Sequence, residues 1–129
     1  MEIGQKNTVS VKVTENNIAI NVGSGDVEVF ATPMMIALME KAASECIAAE
    51  LPEGMTSVGG FISTSHTSAT PIGCTAFATA EIVEFTEKKV EFKVTACDDS
   101  GIIGEGTHTR FIVNKEKFHL RAMSKLQNK

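Results

Sequence analysis

"ATPMMIALMEKAASECIAAE", residues 31–50, is a long run of good helix formers in a chain that otherwise reads as strands. Ala, Met, Leu and Glu dominate it, and these side chains lose little freedom in a helix. Thr32 is placed to act as N-cap, and Pro33 suits the first helical position, where its missing N–H costs nothing. "LPEG" closes the segment. About 17 residues at about 1.5 Å per residue give a helix of roughly 25 Å. On a helical wheel Met35, Leu38, Met39, Ala42, Ala43, Cys46 and Ile47 cover a broad apolar arc, with Lys41, Ser44 and Glu45 opposite. A helix so apolar needs a cover, and a curved sheet wrapped around it provides one. The expected class is therefore α+β: an antiparallel sheet around one long central helix.

The strands lie on both sides of that helix. "TVSVKV" (8–13) and "NIAINVG" (17–23) alternate over a few residues, and "TENN" between them suits a hairpin turn. "CTAFATAEIVEF" (74–85) follows a Thr-Pro-x-Gly turn. "KKVEFKVTACDDSG" (88–101) has the clearest period of two, with Val90, Phe92, Val94 and Ala96 on one face. "DDSG" turns the chain into "IIGEGTHTRFIVN" (102–114), so the last three strands read as an antiparallel meander with one wetted face. The basic segment containing His119 reads as a surface helix or a frayed tail.

Composition narrows the function. A chain of 129 residues, 43% hydrophobic and 22% charged, is expected to form one domain over 1–129. A net charge of −4 argues against nucleic acid as a partner, because phosphate contacts need clustered Lys and Arg. The absence of Trp and Tyr weakens base stacking further. No apolar run approaches the roughly 18 residues of a membrane span, and "MEIGQKNTVSVKV" lacks the apolar core of a secretory signal. The expected location is cytoplasmic, away from membranes. Cys46, Cys74 and Cys97 form no C-x-x-C pair and have apolar neighbours, as inert cysteines do. The three histidines are too scattered for a metal site, and no cofactor is expected.

Two residues fit the pattern poorly. Glu40 sits at the edge of the apolar arc. It is either a boundary side chain with its head in water or a carboxylate held in a partly dry groove, where it could act as base or nucleophile. His66 lies in "FISTSHTSATPIG" (61–73), among six serines and threonines and no charge. As a strand, 61–68 puts Ile62, Thr64, His66 and Ser68 on one face; that face is too polar for a core and too uncharged for bulk solvent. It suits a ligand groove or subunit interface, with a hydrogen-bonded structural histidine as the plainer reading. "GEG" (104–106) has no following helix, so it reads as a bulge or packing device rather than a phosphate loop. His108 and Arg110 share a strand face that could equally be a solvated edge.

Taken in order, "FATPMMIALMEKAA", "GMTSVGG", "HTSATPIG" and "GIIGEGTHTRFIV" resemble the hotdog-fold thioesterases, in particular the branch that includes fluoroacetyl-CoA thioesterase. The resemblance runs from about residue 8 to residue 118, and its most specific parts are Thr-Pro with a Glu seven residues after the Pro, and H-x-x-x-T-P-x-G. It implies a hotdog fold, a homodimer formed by joining sheets, and hydrolysis of an acyl-CoA substrate. It places the catalytic residues at Thr32, Glu40 and His66. A glycine polarising the thioester carbonyl falls on Gly59, with Gly60 the alternative register, and Arg110 falls on a late-strand arginine near the site. The lid stretch "NVGSGDVEVFA" (21–31) has Phe30 as its only aromatic, taken here as substrate-binding. Fluorine recognition is thus not carried over, and a small or medium acyl-CoA is the expected substrate.

The chemistry is compatible. The leaving thiolate has a conjugate acid near pKa ~8.5, so no strong general acid is needed. What remains is a base, assigned to His66, and an oxyanion site, where a well-placed donor contributes about 3–4 kcal/mol. Glu40 would orient or charge-stabilise His66, or attack directly; Thr32 would be nucleophile or positioner. Thr32 and Glu40 are about 12 Å apart along a regular helix, so one imidazole cannot bond both within one chain. A site shared between two subunits resolves this. A non-hydrolytic acyl-CoA-binding module and a hotdog dehydratase or hydratase are the alternatives.

Overall fold

The computed structural model describes residues 1–127. Strand β1 (Lys6–Lys12) is followed by a single helical turn, α1 (Ala19–Val22), and then by the long helix α2 (Thr32–Ile47), which a 3₁₀ turn extends over Ala48–Glu50. Strands β2 (Met55–Thr64), β3 (Thr75–Phe85), β4 (Lys89–Asp98) and β5 (Gly101–Asn114) follow, and α3 (Lys115–Met123) succeeds β5 directly. The five strands form one antiparallel sheet in the order β1-β3-β4-β5-β2. The expected antiparallel sheet around one central helix is what is observed. Among the described residues no helix is long and apolar enough to cross a membrane.

The core forms where α2 lies across the sheet. Met35, Leu38, Met39, Ala42, Ala43 and Ile47 of the helix are buried against Ala76, Ala78, Ala80 and Ile82 of β3 and Val90, Phe92, Val94 and Ala96 of β4. The alanine row on β3 lets the helix approach the sheet closely, while Met and Ile side chains fill the remaining space. From β1, Asn7 Nδ2 donates to the Ala42 carbonyl at 3.0 Å and Gln5 Nε2 to that of Cys46 at 3.0 Å. These bonds fix the rotation of α2, and hence the direction in which Thr32 and Glu40 point.

Three local expectations need correction. The second strand of the proposed N-terminal hairpin does not form. Asn17 is buried, accepts from Thr14 N at 2.9 Å and donates to the Lys12 carbonyl at 3.0 Å. Such side-chain bonds offer the backbone an alternative to a ladder. Residues 19–22 then coil into α1, which Gly23 ends with φ 85°; β1 pairs with β3 instead. The N-cap of α2 is Ala31, not Thr32, and Thr32 makes no capping bond. The strand expected at 61–68 begins earlier and ends at Thr64, so His66 lies just beyond it. The hydroxyls of Thr64 and Ser65 both donate to the Glu105 carbonyl, competing with a regular ladder, although Ser65 N and Thr67 N still bond Glu105 O and Ile103 O.

The Gly-Glu-Gly motif proves to be a packing device for this segment. A Cβ at Gly106 would collide with the Ser63 carbonyl oxygen and lie 2.7 Å from Thr64 Cα; one at Gly104 would collide with Ser65 O. The obstacles are backbone, which cannot rotate away. Gly106→Ala is therefore expected to destabilise the fold by about 1–3 kcal/mol, the range for forced overpacking. Urea unfolding of the purified variant checks this.

Candidate active site

The sequence-selected residues gather into two clusters at different points along α2. The first sits at the helix N-terminus. With no capping duty, the Thr32 hydroxyl lies 2.6 Å from His66 Nδ1. Burial pushes the His66 imidazole below its ordinary pKa, and a hydrogen bond with the Ser68 backbone partly offsets this. Its Nε2 is buried and has no hydrogen-bond partner among the described residues. An orphaned buried polar atom costs about 1–3 kcal/mol, so the arrangement calls for a further group. Beside the pair is a cavity of about 310 Å³, whose walls include Thr32, His66, Phe30, Ser24, Gly25 and Val27. Phe30 is only 1% exposed, so it forms a fixed apolar wall continuous with the core.

The second cluster lies two helical turns on. Glu40 Oε2 is 4.0 Å from Arg110 Nη1, and the glutamate side chain is 41% exposed against 9% for the arginine. Glu40 is thus neither a free solvent-facing side chain nor a fully dry one: it rests over Gly59, where an added Cβ would meet Oε2 at 2.7 Å. The guanidinium is held firmly. Nε donates to Ser57 Oγ at 2.8 Å, Nη2 to the Ser57 carbonyl at 2.9 Å, and Nη1 to His108 Nε2 at 3.3 Å. Gly59 and Gly60 occupy a bulge in β2, where the pairing with β5 slips between Gly59 and Phe61. Gly59 faces Glu40 and Arg110, whereas Gly60 makes room for the Phe111 ring.

The structure therefore joins Thr32 with His66, and Glu40 with Arg110 and Gly59, but does not join the two groups within one chain. His108 and Ser57 complete the second cluster. His108 was legible only as one member of an alternating strand; the inward face Gly104, Gly106, His108, Arg110 carries two glycines before the histidine, a sign of close packing rather than of a wet edge. Among the described residues no group of three potential metal ligands occurs.

Comparison with known proteins gives this geometry a context. Residues 13–116 match the family described as fluoroacetyl-CoA-specific thioesterase. The chain is 40% identical over 98 residues to a fluoroacetyl-CoA thioesterase from Streptantibioticus cattleyicolor, covering 76% of this chain and 70% of that one. A solved structure of the fluoroacetyl-CoA thioesterase FlK superposes with a TM-score of 0.91 at 33% identity, over 97% of both chains. A Thermus thermophilus thioesterase superfamily member shares the fold, with a TM-score of 0.88 at 22% identity over 99% of this chain and 97% of that one.

Proposed function

Because the chain belongs to the fluoroacetyl-CoA-specific thioesterase family, we propose that it hydrolyses the thioester of a small or medium acyl-CoA, at a site built from two protomers. The observation that carries this reading is the 2.6 Å contact between Thr32 and a half-buried His66 whose Nε2 is buried and lacks a partner among the described residues. In the proposed mechanism His66 Nδ1 accepts the Thr32 proton as Oγ1 attacks the thioester carbonyl. The imidazolium returns that proton to the departing thiolate, and water then hydrolyses the acyl-threonine with His66 again as base. Glu40 of the partner subunit accepts from His66 Nε2, fixing the tautomer and stabilising the imidazolium, the role a carboxylate plays in a triad. The N–H of Gly59 faces the developing oxyanion, with Arg110 as the nearby cation.

The fold supports such a dimer. β2 is an edge strand of ten residues carrying exposed Phe61 and no charged side chain, an edge suited to pairing. Antiparallel pairing of two β2 strands about residues 62 and 63 sets position 59 of one chain against position 66 of the other. Each His66 then meets the second cluster of its partner, as a two-fold arrangement requires.

The cavity supports the proposed substrate class. Its rim at 24–27 is Ser-Gly-Asp-Val, with Val27 exposed and no aromatic side chain, so it offers room for a short acyl chain without an aromatic lid over it. The test is a panel of acyl-CoAs from acetyl upward, including fluoroacetyl-CoA, assayed by thiol release. Turnover of short and medium acyl-CoAs, with no strong preference for the fluorinated one, is expected. No thiol release from any member would overturn the reading.

A further inference from the structure

His108 is 1% exposed, yet it touches neither the cavity nor the Thr32–His66 pair. Its ring stacks on Phe92, with centroids 6.1 Å apart and planes at 26°. Both nitrogens are engaged. Nε2 lies 3.3 Å from Arg110 Nη1, and a guanidinium can only donate, so Nε2 must be the acceptor. Nδ1 therefore carries the proton and donates to the Phe61 carbonyl at 2.7 Å. One neutral tautomer satisfies both contacts. Burial pushes this imidazole below its ordinary pKa and Arg110 adds to that, against the opposing pull of Glu40 and the Phe61 carbonyl.

The two partners matter because of where they stand. Phe61 is the first residue after the bulge that contains Gly60 and follows Gly59. Arg110 is the cation facing Glu40. An added Cβ on Gly59 would lie 3.2 Å from His108 Cε1, so the imidazole also forms the floor beneath that glycine. We propose that His108 is a positioning residue: by tying the Phe61 carbonyl to the Arg110 guanidinium it fixes together the bulge that aims the Gly59 N–H and the cation beside Glu40. Its effect on turnover rests on the proposed thioester hydrolysis; its effect on the bulge does not.

The experiment uses the full chain, ¹⁵N-labelled, as wild type, His108→Phe and His108→Gln. Long-range ¹H–¹⁵N spectra of the wild type at neutral pH are expected to show His108 protonated at Nδ1 and bare at Nε2. His108→Phe keeps a ring against Phe92 but removes both bonds. It is expected to move the Gly59 and Gly60 amide signals while leaving Gly23 and Gly54 in place. It should lower kcat roughly 10–100-fold, with KM within about threefold, because a misaimed donor weakens the transition state more than the ground state. His108→Gln, which retains a polar group, should fall between and keeps the test alive if the Phe variant does not fold. An imidazole protonated at Nε2 would overturn the inference, as would unmoved Gly59 and Gly60 amides in a folded variant. Absence of hydrolysis by the wild type would instead overturn the functional reading, and the spectra would still decide the role of His108.

Discussion

His66→Ala is expected to lower kcat for acyl-CoA hydrolysis by roughly 10²–10⁴-fold, the span typical of a lost general base. The fold should persist. His66 lies beyond the end of β2, and its side chain bonds Thr32 and the nearby Ser68 backbone but no element of the core. Losing such bonds costs about 1 kcal/mol each, and the substitution also removes the orphaned Nε2. Melting temperature and kcat measured on the same preparation separate the two effects. A folded variant with near-wild-type turnover would mean that the Thr32–His66 contact plays no part in catalysis.

Glu40→Gln is the second large effect, expected at about 10²–10³-fold in kcat, comparable to losing one preorganised electrostatic group. Gln preserves shape and hydrogen bonding but cannot stabilise an imidazolium. Stability should change little: the carboxylate is 41% exposed and 4.0 Å from Arg110, and such pairs contribute about 0–1 kcal/mol. The pH profile supplies an independent check with a definite sign. The base must be neutral, so kcat/KM rises with pH through the His66 pKa. Burial lowers that pKa, while a partner carboxylate at Nε2 raises it. Removing the carboxylate leaves burial in control, so the acidic limb of Glu40→Gln should lie below pH 6.5 and below that of the wild type. A limb that does not move on substitution would detach Glu40 from His66.

Much of the architecture was legible because it rests on strong periodicities. The apolar arc of residues 35–47 and the alternation of Val90, Phe92, Val94 and Ala96 each specify one buried face, and those faces meet in the core. The N-terminal hairpin was misread because "NIAINVG" alternates too briefly to outweigh the turn chemistry of Asn17 and the left-handed cap offered by Gly23. At the candidate site, Thr32, Glu40 and His66 were selected through the family resemblance; the structure joins Thr32 with His66 and sets Glu40 beside Arg110 and Gly59, a separation already expected from the helical rise. Thr32 was misread as a cap because the helix starts one residue earlier, which leaves its hydroxyl for His66. His108 stayed hidden because its partners, a carbonyl at position 61 and a guanidinium at 110, meet only through a bulge that no local pattern announces.

The central claim is that each site combines Thr32 and His66 of one protomer with Glu40 of the other, and mixed dimers test it most directly. Glu40→Gln and His66→Ala chains, each nearly inactive alone, are unfolded together, refolded and assayed for thiol release. If the site is shared, a hybrid dimer holds one site with both residues intact and one with neither. Random pairing makes half the dimers hybrid, so about a quarter of wild-type turnover should return. If each chain carries its own complete site, every site in the mixture keeps one lesion. Turnover would then remain at the level of the inactive variants, contradicting the account.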